Sequence, residues 1–387
     1  MITVAAAQDI ILSTTKDFGT ESLPLAASLG KVLREDLTAD RDFPPYDRVT
    51  MDGIAIHWDS FDQGSRSFPI AGIAAAGAPP LSLANPATCL EVMTGSILPA
   101  GVDTVIRYED LNLEDQVAHL TVDSVKKGQN IHRQGEDRQR GDLLVTQGRI
   151  ISSAEIGVAA TIGKTHLKTS RLPKTIIIST GDELVEIDQK PLAHQIRKSN
   201  IHQLAAILKT QQITADTFHL NDELDEILVQ LERIVQNYEV VLLSGGVSKG
   251  KFDFLPSALE KLGVKKLFHR IQQRPGKPFW FGQHPSGTVV FALPGNPVSS
   301  FLCTHRYFLP WLRQSVGLPV APAKFAVLQK SIDFKPDLTY FLEVKISYSP
   351  EGQILALPIR GNGSGDLANL VDADAVIELP QGKNQYP

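Results

Sequence analysis

The sequence contains only two cysteines, Cys89 and Cys303. They stand far apart, without CxxC or Cys/His ligand spacing, which argues against a thiolate zinc site and suits a reducing compartment. No stretch approaches the ~20 apolar residues of a membrane-spanning helix. The opening residues, "MITVAAAQDIILSTTKDFG", lack a basic start and a long apolar run, so they read as a short amphipathic helix and not as a signal peptide. Excess basic charge is missing too. The formal net charge is −5 and the pI about 6.1, which gives no reason to expect a nucleic-acid partner. No internal repeat, low-complexity tract or Walker A sequence is present, and the last absence disfavours an ordinary P-loop ATPase. What remains is a chain of 387 residues, 42% of them hydrophobic, enough for several domains and a real core. The expectation is a soluble cytoplasmic protein with neither membrane nor nucleic-acid partner.

Residues 1–45 begin with the short helix and continue through "SLPLAASLGKVLREDL", which reads as a second amphipathic helix. The prolines of "DFPPYDRVTMDG" then interrupt the pattern. From 46 to 139, short apolar runs such as "DGIAIHW" and "DTVIRY" alternate with Gly/Pro turns, as in a small β-rich domain. Residues 140–170 return to mixed helix and strand, and pack with the first segment if the β-rich domain is an insertion. Residues 171–318 alternate apolar strands ("TIIIST", "TADTFHL", "VVLLS") with helices. The helix "SNIHQLAAILKTQ" is expected to be capped by Ser199 or Asn200. Residues 319–387, with "FLEVKISY" and "AVIELP", suggest a C-terminal β domain. The predicted class is multidomain α/β plus β: a doubly wound, mostly parallel sheet domain, an inserted β-rich domain, a linking α/β segment and a C-terminal β domain.

In open α/β sheets, ligands bind beyond the carboxyl ends of the strands. Three turns belong there. "STGDELVE" offers Ser179, Thr180, Asp182 and Glu183. "SGGVSKGKFD" offers Ser248, Lys249, Lys251 and Asp253. "LPGNPVSSF" opens a helix, and "QRPGKPFWF" supplies Arg274 and Lys277. Glycines in such turns let backbone N–H groups approach an anion, and a helix N-terminus adds more donors. The set suits phosphate or another tetrahedral oxyanion, and the carboxylates suit Mg²⁺. Each turn alone reads first as a solvated connection, and only the convergence of three on one sheet edge points to a site. Glu183 reads as a solvated first-turn residue, Asp222 and Asp253 as helix caps, and the prolines of "PGNP" as helix starters. His132, His269 and His305 show no ligand spacing and read as bland.

At this point the chain resembles the molybdopterin molybdenumtransferases, the bacterial counterparts of the gephyrin E domain. "PPYDRVTMDGIA" resembles the family's Asp-Asn-Ser-Ala-Met-Asp-Gly-Tyr-Ala stretch. "VMTGSILPAGVDTVIRYED" resembles its Thr-Gly-x-x-x-Pro-x-Gly-x-Asp-x-Val-Val segment, and "NIHRQGEDRQRGDLL" its Arg-x-x-Gly-Glu-Asp segment. "ISTGDELVE", "LLSGGVSKGKFDF", "RPGKPFWFG" and "LPGNPVSSF" resemble four more blocks in the same order. The resemblance implies a Mg²⁺-dependent enzyme that takes adenylylated molybdopterin and molybdate, releases AMP and leaves molybdenum on the dithiolene. It implies an elongated homodimer of four-domain chains, with the cleft between the sheet domain of one subunit and the β-rich domain of the other. The segment formed by 1–45 and 140–170 would then link and dimerise. Transient partners would be a molybdopterin adenylyltransferase and apo-molybdoenzymes.

Carried over by position, the catalytic carboxylates are Asp52, Asp137, Glu183, Asp222 and Asp253, with Glu183 and Asp253 as metal ligands. Substrate contacts fall on Thr94, Ser248, Lys249, Lys251, Arg270, Arg274, Lys277, Pro278, Pro294, Pro297, Ser299 and Ser364. Arg and Lys suit molybdate as they suit phosphate, through charge-assisted hydrogen bonds. Several departures matter. Arg270 and Arg274 stand where the family has lysines, which keeps the charge but not the geometry. Lys251 stands where the family has an acid, Lys249 where it has a small apolar residue, and Lys198 where it often has Asp. A molybdate-contacting arginine aligns with Leu342. These departures leave open a catalytically impaired paralogue or a scaffold; sheet topology alone would also allow an unrelated nucleotide or sugar-phosphate enzyme.

Overall fold

The computed structural model describes residues 1–221, 223–247, 254–359 and 361–387. Its central element is a six-stranded sheet. The strand order is Asp216–Leu220, Thr175–Thr180, Val240–Ser244, Val289–Leu293, Trp280–Gln283, Lys265–His269. The first four are parallel and the last two run antiparallel to their neighbours. Alternate residues of each strand serve opposite faces. Ile177, Leu242 and Phe291 join one core, and Ile176, Ile178, Val241 and Val290 the other. Helices Ser199–Thr210 and Leu224–Asn237 cover those two faces. The mostly parallel, doubly covered sheet expected from the solid apolar strands is therefore what forms.

A second six-stranded sheet lies between Gly53 and Leu120, in the order Thr104–Arg107, Gly53–Ile56, Cys89–Val92, Ser67–Ala74, Val117–Leu120, Leu111–Glu114. Gly53 is needed there by close approach: a Cβ would stand 2.0 Å from the Ile106 carbonyl oxygen. The C-terminal sheet is built on the ten-residue strand Thr339–Tyr348, which pairs with Ile354–Pro358 and Ala375–Leu379. Its other neighbour is Gln273–Arg274, contributed by the central unit.

Three sequence expectations are corrected. Residues 22–37 are not a second α-helix. Thr20–Pro24 is a strand paired with His166–Ser170, followed by the 3₁₀ turn Leu25–Ser28. Pro24 and Gly30 break the helical register, the latter at a φ of 78°. The first helix, Val4–Leu12, does not stay with the linking segment. Val4, Ala7 and Ile11 join the core of the central sheet, and Trp311 Nε1 donates to Thr14 Oγ1 at 3.1 Å. The helix Ser199–Thr210 is preceded by Lys198, with no side-chain cap. Asn200 turns inward instead.

Candidate functional site

A cleft of about 1350 Å³ opens at the carboxyl ends of the parallel strands and is closed on its far side by the C-terminal sheet. Its floor comes from the strand-end turns. Gly181, at a φ of 125°, leaves room that a Cβ could not share: that atom would stand 2.4 Å from a Glu183 carboxylate oxygen. Asn200 ties two turns together, its amide donating to Ser244 Oγ at 2.9 Å and to the Gly295 carbonyl at 2.7 Å. The "PGNP" turn is fastened to the C-terminal domain, since Asn296 donates to Ser364 Oγ at 2.6 Å and Val298 N–H to the Ser364 carbonyl at 3.2 Å. Arg274 is placed by its strand, parallel to Thr339–Tyr340.

The structure brings Glu183, Arg274, Lys277, Pro278, Pro294, Pro297, Ser299 and Ser364 to this one cleft. Arg270 lies outside the wall; its backbone N–H donates to the Phe279 carbonyl at 2.8 Å. Asp222, Ser248, Lys249, Lys251 and Asp253 lie outside the described residues, so the basic turn after Val240–Ser244 is not placed. Among the described residues no group of three or more His, Cys, Asp or Glu side chains could hold a metal ion. Glu183 is nevertheless an oxygen donor on the cleft wall, and Mg²⁺ commonly takes only one or two carboxylates beside substrate phosphates. The residues present fit that kind of site.

Lys198 lines the cleft although it is only 9% exposed, and its Nζ lies 2.5 Å from a Glu186 oxygen. That ion pair lowers the Glu186 pKa, and the Lys198 charge adds to burial in lowering that of His219. Leu342 is buried in the C-terminal core, yet reaches the cleft wall. Its neighbour Glu343 also lines the cleft. Burial raises its carboxyl, with Asp366 adding to the effect. Asn200, Asn296, Tyr340 and Glu343 were not among the sequence candidates. The first two sit within quoted motifs. The last two lie three positions apart on one strand, so the period-two pattern does not group them or say which positions meet a cleft.

Asp52, Thr94 and Asp137 are not in this cleft. They belong to the β-rich unit and its flank. Thr94 N–H donates to Asp52 Oδ1 at 2.6 Å, and this bond, with a second from the Thr94 side chain, lowers the pKa of the exposed Asp52 carboxyl. Nearby, Tyr108 is hydrogen-bonded to Glu91, and burial followed by that bond pushes its phenol up.

A mostly parallel, doubly covered sheet with a polar cleft at its strand ends, joined to a β-rich unit and a C-terminal β domain, defines a multidomain α/β protein with a large cleft at its sheet edge. Known proteins narrow this class. The chain matches the MoeA N-terminal region (domain I and II) over residues 2–163, the probable molybdopterin binding domain over 176–314, and the MoeA C-terminal region (domain IV) over 326–387. It is 41% identical to a molybdopterin molybdenumtransferase of Synechocystis, covering 100% of this chain and 97% of that protein. It is 30% identical to the Bacillus subtilis molybdopterin molybdenumtransferase, covering 95% and 87%. The crystal structure of a molybdopterin biosynthesis MoeA protein from Pyrococcus horikoshii superposes with a TM-score of 0.84 at 26% identity, covering 100% of this chain and 96% of that one. The chain belongs to the molybdopterin molybdenumtransferase family.

Proposed function

We propose that this protein inserts molybdenum from molybdate into adenylylated molybdopterin with release of AMP, a late step of molybdenum cofactor biosynthesis. The observation that carries the reading is the convergence of the strand-end turns and the C-terminal Ser364 loop on one cleft. At about 1350 Å³ the cleft exceeds the usual ~300–1,000 Å³ of small-molecule pockets. That leaves room for a pterin joined to a nucleotide.

Arg274 and Lys277 supply positive charge to the phosphate and molybdate oxygens, and Ser299 and Ser364 supply hydroxyl donors. Glu183, with Asp253, would hold Mg²⁺. When bound, that ion would polarise a phosphoryl oxygen and neutralise developing charge. Asn200 and Asn296 keep the turns in register, so the donors need little rearrangement as charge develops. Asp52, Thr94 and Asp137 act from a second copy of the chain, whose β-rich unit covers the cleft in a homodimer. The adenylyltransferase that supplies the substrate and the apo-molybdoenzymes that receive the product are transient partners, and the setting is cytoplasmic. Among the described residues no helix is long and apolar enough to cross a membrane. The assembled cation and hydroxyl set favours catalysis over the impaired-paralogue and scaffold readings.

The test is turnover. Purified protein is mixed with adenylylated molybdopterin, Mg²⁺ and molybdate, and AMP release is followed together with reconstitution of an apo-molybdoenzyme. AMP and active cofactor are expected together. Tight binding without AMP release would replace this reading with the impaired paralogue, and no binding would remove the assignment of the cleft.

A further inference from the structure

His132 has no part in the function proposed above, and its sequence spacing suggests only a bland role. The structure gives it two specific partners. Ile131–His132 pairs antiparallel with Arg48–Val49, so Arg48 and His132 stand directly opposite. Arg48 Nη2 lies 3.1 Å from His132 Nδ1, and His132 Nε2 lies 3.0 Å from Asp137 Oδ1. A guanidinium has donors only. The Nδ1 facing it must present its lone pair, which leaves the ring proton on Nε2, aimed at Asp137.

We propose that Arg48 and His132 form a positioning relay for Asp137: the arginine fixes the imidazole tautomer, and the Nε2–H fixes the carboxylate. The inference rests on the reading of Asp137 as a residue that acts on substrate. The neighbouring groups are otherwise engaged. Glu136 is 3.9 Å from His132 Nε2, but its carboxylate accepts the Arg133 N–H at 3.0 Å. Asp47 accepts from Arg133 Nη1 at 2.6 Å and from the Gln134 N–H at 2.8 Å. The backbone of Asp137 is pinned as well, its N–H donating to the Phe43 carbonyl at 2.9 Å. The Asp137 side chain is 57% exposed and that of His132 23%. One ring proton thus orients an exposed carboxylate, and a half-buried ring is oriented by one arginine.

Two readouts test this in the full-length protein. Nitrogen NMR of histidine-labelled protein should show His132, identified by its loss in His132→Gln, with Nδ1 bare and Nε2 protonated. Arg48→Met should mix the tautomers. In the turnover assay, His132→Ala should lower kcat about 10–100-fold with KM nearly unchanged, the range for groups that orient a functional ligand. His132→Gln, which keeps an N–H donor, should recover part of it. If His132→Ala does not fold, the glutamine and Arg48→Met variants carry the same comparison. An Nδ1-protonated His132 would overturn the relay. So would normal turnover in His132→Ala beside an inactive Asp137→Asn. Normal turnover in Asp137→Asn would overturn the reading of Asp137 itself, and the relay with it.

Discussion

The cleft and the β-rich patch carry similar residues in different surroundings. Glu183 stands in a concave site with Lys198, Arg274 and Lys277 on the same walls, and the C-terminal sheet opposite. Asp52 stands on an exposed surface with Thr94 as its partner. Charges on an open face interact weakly because water screens them, whereas a walled cleft strengthens the same interactions. A carboxylate asked to act on substrate from the patch therefore needs a second wall. Among the described residues of one chain Asp52 stands outside the cleft, which is why the proposed dimer matters: covering the patch with another copy's cleft would give both regions the same dielectric setting.

The largest effects should come from removing one carboxylate from each region. Glu183→Ala and Asp52→Ala are each expected to lower AMP release by about 10²–10³-fold, the usual loss for one preorganised electrostatic contact. Mixing the two inactive proteins, with exchange of subunits, should then restore about a quarter of wild-type turnover. Half of the random dimers are mixed, and one of their two sites is intact in a symmetric interface. A mixture that stays inactive despite exchange would show that both regions must act within one chain.

A smaller effect separates binding from support. Arg274→Met and Lys277→Met should each raise the KM for the anionic substrate about tenfold, and rising salt should shrink that difference as it screens the wild-type contacts. Thr94→Val should lower kcat through Asp52, which loses the Thr94 hydroxyl, with a smaller rise in KM from the lost substrate contact. A KM difference from wild type that stays the same at all salt concentrations in the two methionine variants would argue that neither residue meets substrate charge. Asn200→Ala should cost about 1 kcal/mol of stability, measured by urea unfolding, because Ser244 and the Gly295 carbonyl lose a hydrogen-bond partner at a part-buried turn.

The central sheet was legible because its strands are solid apolar runs, and both faces need covering. "TIIIST" and "VVLLS" allow little else. The strand-end turns that floor the cleft followed from the same topology. What failed was long-range. Glu21 pairs with Thr169 across the chain, and such pairing overrode an apparently helical pattern that Pro24 and Gly30 already weakened. The docking of Val4–Leu12 on the central core, and not beside its sequence neighbours, depends on Trp311 and Arg306, the latter donating to Gln8 Oε1 at 2.8 Å. Tyr340 and Glu343 were missed for a related reason. They reach the cleft because Gln273–Arg274 is borrowed into the C-terminal sheet, and no local pattern announces that exchange.

Glu343 offers the finest test of how closed the C-terminal wall is. Its carboxyl is raised above the ordinary 4.5 by burial, with help from Asp366, and the Asn369 hydrogen bond only partly offsets this. A carboxyl whose folded pKa exceeds its unfolded value binds more protons when folded. Stability is then greatest below the unfolded value and declines as pH rises through the folded one. Glu343→Gln removes that decline. The urea midpoint of the variant should gain on wild type between about pH 4 and about pH 7, with the variant favoured at the higher pH. A constant difference at both pH values would mean that the Glu343 carboxylate is as well hydrated as Asp52. The cleft would then be no better enclosed than the patch, and the contrast between the two regions would rest on geometry alone.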